Sequence, residues 1–119
     1  MIDDDCNKIN PQVIEELQLE KMFEILISML SDSFVALESE NTKVSGKILA
    51  KDDEIDTIYR NSLDVLTNYL QAEPAFIRCG LKLTLLIRKL ERIGDHCSNI
   101  VEEIVFYVDA KVLKHGVKH

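Results

Sequence analysis

The sequence predicts an all-α protein, an up-down-up bundle of three long helices. Three observations lead there. With four Gly and two Pro in 119 residues, the chain has few of the punctuators that a run of β-hairpins needs. Apolar residues recur three and four apart over three long stretches, the spacing that lines one face of a helix. These stretches are separated by just two breaks, the polar run Glu38-Ser39-Glu40-Asn41-Thr42 and the segment before Pro74. Short connections between long helices place consecutive helices antiparallel.

The first helix starts at Asn10-Pro11, where Asn can cap and Pro suits the first helical position. Its apolar positions are Val13, Ile14, Leu17, Leu19, Met22, Phe23, Leu26, Leu30, Phe34 and Leu37. The stripe is less regular near Gln18, which marks a bend. The second helix carries Val44, Ile48, Ile55, Tyr59, Leu63, Leu66 and Leu70. It ends at Gln71 or Ala72, because a residue preceding proline is disfavoured in the helical region. Pro74 opens the third helix, whose stripe is Phe76, Cys79, Leu83, Leu86, Ile87, Leu90, Gly94, Cys97, Val101, Ile104, Val105 and Val108. Its regular part reaches about Asp109, giving a length on the order of 50 Å. Residues 1–119 read as one domain, with a flexible N-terminus over about 1–10 and a basic tail fraying over about 110–119. Helices this long leave much surface bare in a lone bundle, so a homodimer or a neighbouring domain is expected.

At 46% hydrophobic and 29% charged residues the chain is too apolar to be disordered. Its net charge of −7 argues against nucleic-acid binding and against docking on an anionic membrane. The acidic start Met1-Ile2-Asp3-Asp4-Asp5 is unlike a signal peptide. No apolar run approaches the roughly 20 residues that span a bilayer. Direct membrane insertion is not expected, and the chain reads as cytoplasmic. The three cysteines, Cys6, Cys79 and Cys97, have no CxxC spacing. Cys79 and Cys97 fall on the apolar stripe, so they read as small buried residues rather than as a disulfide framework or a zinc site.

The chemistry lies in the acids. Glu91, Asp95 and Asn99 are spaced by four and line one side of the third helix, with Glu102 continuing the row. Asp52 and Asp56 repeat the spacing on the second helix, and Asp52 falls inside the apolar row of Ile48, Ile55 and Tyr59. An acid interrupting a core row is a local conflict of the kind found at functional positions. Gly94 lies within the core face, where a missing side chain lets the second helix approach. If the two rows meet, Asp52, Asp56, Glu91 and Asp95 repel one another until a multivalent cation relieves them. An all-oxygen set suits Mg, Ca, Mn or ferric iron. His96 points away from the row, and His115 and His119 lie in the tail. The plain alternative is a solvated face, with Glu91 paired to Arg88 or Arg92. No Gly-rich phosphate loop, GxSxG elbow, HExxH or bundle-type Glu-x-x-His pair is present, so an enzyme is not expected.

Leu90-Glu91-Arg92-Ile93-Gly94-Asp95-His96, with Asn99-Ile100 and Glu102 after it, resembles the signature of the PhoU phosphate-signalling proteins. Asp52-Asp53-Glu54-Ile55-Asp56 is similar to that family's other acidic motif, and the segment from Val105 to His115 resembles the close of a PhoU chain. The likeness covers roughly residues 19 to 115. It implies a three-helix, PhoU-like (spectrin-like) repeat with metal at Asp52, Asp56, Glu91 and Asp95, iron first and manganese, magnesium or zinc as alternatives. It also implies an adaptor that represses phosphate uptake and the phosphate-starvation response through a phosphate transporter and its sensor histidine kinase. A typical PhoU protein has two such repeats and this chain has one, most like the second. The resemblance is therefore also compatible with a regulatory domain of a sodium/phosphate cotransporter, and the residues alone are compatible with a structural helical module.

Overall fold

In the computed structural model, which describes residue 6, residues 8–40 and residues 43–116, the chain forms α1 (Pro11–Glu16), α2 (Leu19–Ser39), α3 (Val44–Ala72) and α4 (Ile77–Gly116). A 3-10 turn, Pro74–Phe76, leads into α4. Residues 1–5, 7, 41, 42 and 117–119 lie outside the described residues, and with them most of the predicted flexible N-terminus and His119. Among the described residues no helix is long and apolar enough to cross a membrane.

Asn10 caps α1 by accepting a hydrogen bond from the Gln12 N–H, with Pro11 in the first turn. The bend anticipated near Gln18 is a full break: Gln18 adopts φ 58°, a left-handed conformation that only restarts the helix at Leu19. The break lets α1 fold across the lower half of α3. There the Ser62 hydroxyl donates to the Leu17 carbonyl at 3.1 Å, and Leu17 is fully buried. A buried polar group such as Ser62 must find a partner, and the interrupted helix supplies a free carbonyl.

Ion pairs fix the directions of the long helices. Lys21 of α2 pairs with Glu54 of α3 at 3.3 Å, and Asp32 pairs with Lys51 at 2.7 Å, so α2 and α3 run antiparallel. Lys51 also donates to Ser28. Leu70 of α3 lies against Gly80 of α4, and Asp52 lies against Gly94, so α3 and α4 are antiparallel as well. Lys111 of α4 meets Glu40 at the end of α2 at 2.6 Å, while Leu26 lies beside Gly94, so α2 and α4 run side by side in the same direction. The result is a rod of 70 × 20 × 18 Å.

Three expectations need correction. The stripe on the first helix was too broad: α2 buries Met22, Leu26, Met29 and Ala36, while Phe23, Leu30, Phe34 and Leu37 are exposed. Apolar periodicity reports an apolar face, and the neighbours decide how much of it is covered. The helix through Asp109 does not stop there but continues to Gly116, with Lys111 anchored on Glu40. Finally, Cys79 is buried but not free. It forms a disulfide with Cys6, 73 residues away, with the Cα atoms 5.6 Å apart. Irregular cysteine spacing carries no information on pairing. The meeting of these two depends on the Pro74 turn and on the path of the chain before α1, which are tertiary features.

Candidate metal centre

The acids of α3 and α4 meet at mid-length of the rod. Asp52 and Asp56 occupy successive turns of α3, and Ile55 between them is fully buried, so the core phase of α3 aims this pair toward α4. On α4, buried Leu90, Gly94 and Cys97 set the phase and place Glu91 and Asp95 on the side toward α3. Close approach at the crossing depends on Gly94. A Cβ built there would stand 3.0 Å from Asp52 Oδ1 and 3.5 Å from both Ile55 and Leu26.

Asp52, Asp56 and Asp95 each present a carboxylate oxygen within 4.8 Å of the others. Two metal–oxygen bonds of about 2.1 to 2.5 Å, placed across one ion, cover this span. Glu91 stands beside the three, close enough to Asp95 for the two carboxyls to interact. The four predicted residues are thus assembled, three at ligand spacing and the fourth adjoining. Asn99 and Glu102 are exposed on the same helix, and Glu102 is not in the group. His96 is exposed and outside it too, as its position on the helix implies; the side chain of His115 lies outside the described residues.

The electrostatics match a site lacking positive charge. Burial pushes the Glu91 carboxyl up to about 6 from 4.5, reinforced by the interaction with Asp95 and by the charges of Asp95, Asp56 and Asp52. Burial likewise raises Asp52, where the nearby Ser98 hydroxyl offsets part of the effect and Asp56, Asp95 and Asp53 add to it. Asp56 is raised by burial and by Asp95, and Arg60 beside it compensates only in part. The Cys97 thiol is raised by its own burial and by the Asp52 charge.

Among the described residues, three buried side-chain atoms lack a hydrogen bond of good geometry: Asp52 Oδ1, Glu91 Oε2 and Ser98 Oγ, the last close enough to Asp52 to favour its charged form. All three belong to this one place. Buried polar atoms are nearly always satisfied, so their clustering within a group of mutually repelling carboxylates fits a bound hard cation. Ser98 was missed in the sequence. Its signal was there: it follows Glu91 by seven residues and so shares its face.

A family model, the PhoU domain, matches residues 19–104. The chain belongs to the PhoU family. Curated relatives agree. The phosphate-specific transport system accessory protein PhoU homolog 1 of Thermotoga maritima is 26% identical over 111 residues, covering 93% of this chain and 47% of its own. The corresponding homolog of Rhizobium meliloti is 31% identical over 88 residues, 74% of this chain and 37% of its own. The accessory protein PhoU of Edwardsiella tarda is 28% identical over 99 residues, 83% of this chain and 41% of its own. The PhoU chain described here therefore spans less than half the length of these relatives. No solved structure matches it.

Proposed function

We propose that this chain is an up-down-up PhoU repeat that acts in the cytoplasm as an accessory regulator of phosphate transport. It works by contact with a phosphate transporter and its sensor histidine kinase, as an adaptor rather than a catalyst. Its relatives are named for a phosphate-specific transport system, which supports this reading. The observation that carries the site is the convergence of Asp52, Asp56 and Asp95 within 4.8 Å, with Glu91 adjoining.

These four residues would hold a hard metal ion, iron first and manganese, magnesium or zinc as alternatives. When bound, the ion supplies positive charge that offsets the repulsion among the carboxylates. The residues themselves clamp α3 to α4, and the bare backbone at Gly94 keeps the two helices close enough for one set of ligands to span them. Occupancy of the site would thereby set the rigidity of the surface formed by these two helices.

Elemental analysis of protein purified without a His-tag tests this, comparing wild type with the Asp52→Ala, Glu91→Ala double variant. Stoichiometric metal in the wild type and its loss in the variant is the expected result. Wild-type protein that takes up none after incubation with excess iron, manganese, magnesium or zinc would refute the metal site and leave a helical contact module.

A further inference from the structure

The Cys6–Cys79 bond stands apart from the acidic centre, roughly 20 Å from Gly94 along α4. The chain is proposed to act in the cytoplasm, where disulfides are rare and those present are mostly transient, catalytic or redox-sensing. Access separates an exchangeable bond from an inert one. Here a cavity of about 350 Å³ opens against the bond. Cys6, Cys79, Lys82 and Lys89 line it, with Leu83 and Leu86 among its apolar walls.

The two sulfurs are not equivalent. Cys79 sits in the first turn of α4 and is 4% exposed, whereas Cys6 is half-buried in the segment ahead of α1. An incoming thiolate therefore reaches the Cys6 sulfur. Lys82 and Lys89 are seven residues apart, which puts both on the cavity side of α4. Lys89 is exposed, so its charge meets whatever enters. A cleft lined by one sign of charge concentrates reagents of the other sign. The volume falls at the low end for small-molecule sites, so the cavity admits a small reagent and not a folded protein.

We propose that Cys6–Cys79 is a reversible redox site that exchanges with a small anionic thiol of the glutathione class, bound in this cavity beside Lys89. The reagent's thiolate attacks Cys6 Sγ. A bond forms between those two sulfurs as the Cys6–Cys79 bond breaks, and the electron pair leaves on Cys79 Sγ, which takes a proton from water. A second thiolate then attacks the reagent's sulfur in the mixed disulfide and releases Cys6 as a thiolate, protonated in turn. Two reagent thiols are oxidised to one disulfide as the protein disulfide is reduced. Opening unclasps the segment ahead of α1. That segment is then held by Ile9, 5% exposed, and by the Asn10 N–H donating to the Tyr69 hydroxyl at 3.4 Å. The Ser62–Leu17 bond still fixes the end of α1. The cytoplasmic reading supplies only the source of the thiol; the exchange is a property of the chain.

Equilibrating the full chain in glutathione buffers of graded reduced-to-oxidised ratio, then alkylating and mapping the cysteines by mass spectrometry, tests the site. The bond is expected to open within the series, with a glutathione adduct at Cys6 in quenched samples. A bond that stays closed at every ratio and yields only to dithiothreitol overturns the proposal. With oxidised glutathione, Cys79→Ser chains should take an adduct at Cys6. Cys6→Ser chains should take one at Cys79 about ten-fold more slowly, because burial restricts access. Equal rates, or a faster one at Cys79, overturn the direction of attack. Lys89→Glu should slow opening by glutathione about five-fold, the effect of one unit charge at about 4 Å in water. Opening by the cationic thiol cysteamine should be no slower. Lys89 is exposed, so helicity by circular dichroism should not change. Equal slowing of both thiols, or of neither, overturns the binding cavity. Metal uptake is read separately and does not depend on these outcomes.

Discussion

Replacing Glu91 by Gln should flatten the pH dependence of stability in metal-free protein, and the structure sets the size of the effect. The folded carboxyl sits at about 6 against an ordinary 4.5. A raised folded value means that the folded state holds this proton more tightly than the unfolded state. The stabilisation is thus complete below about pH 4.5 and lost as pH rises through about 6. A difference of that size corresponds to about 2 kcal/mol for a fully shielded group. Glu91 is partly exposed, and solvent screening reduces the figure to about 1 kcal/mol. The assay is urea unfolding in the presence of chelator at pH 4 and pH 7.5. With a slope of about 1.3 kcal/mol per molar urea for a chain of this size, wild type should lose about 0.8 M more in midpoint than Glu91→Gln over that range. Asp52 and Asp56 are raised in the same sense, so some slope should remain in the variant. Parallel pH curves for the two proteins would show that Glu91 is not held among like charges, and the account of the centre would fail.

Four other outcomes are expected. Gly94→Ala gains about 1 kcal/mol of helix propensity, but its methyl would stand 3.0 Å from Asp52 Oδ1. Stability should stay within about 1 kcal/mol of wild type while metal affinity drops about ten-fold, measured by calorimetric titration; unchanged affinity would argue against the close crossing. Leu90→Ala empties a position only 5% exposed and should cost about 2–5 kcal/mol in urea unfolding. A midpoint near wild type would mean that α4 is rotated from the phase described. Gln18→Gly should raise stability by about 0.5–1 kcal/mol, because φ 58° costs any L side chain but not glycine. Reducing the Cys6–Cys79 bond, which closes 73 residues, should lower stability by up to about 4 kcal/mol. A thermal midpoint indifferent to dithiothreitol would show the bond to be absent or inconsequential.

Much of this protein is determined locally. The three long helices follow from periodicity and from the breaks at Glu38–Thr42 and Pro74, because helix faces and terminators act within a few residues of the chain. The acidic site was legible for the same reason. Four-residue spacing puts Asp52 with Asp56 and Glu91 with Asp95 whatever the rest of the fold does, and the rows of Ile48 and Ile55 and of Leu90 and Cys97 fix which way each pair faces. Only the tertiary structure decided what meets across helices. It selected Met29 and Ala36 rather than Phe34 and Leu37 for the core of α2, since burial depends on where neighbouring helices stand and not on hydrophobicity alone. It joined Cys6 to Cys79 and set Ser98 beside Asp52. It also brought Asp95 within 4.8 Å of Asp52 and Asp56. Each of these is a distance between residues far apart in sequence, set by how α1 and the three long helices cross. Spacing along one helix cannot encode it.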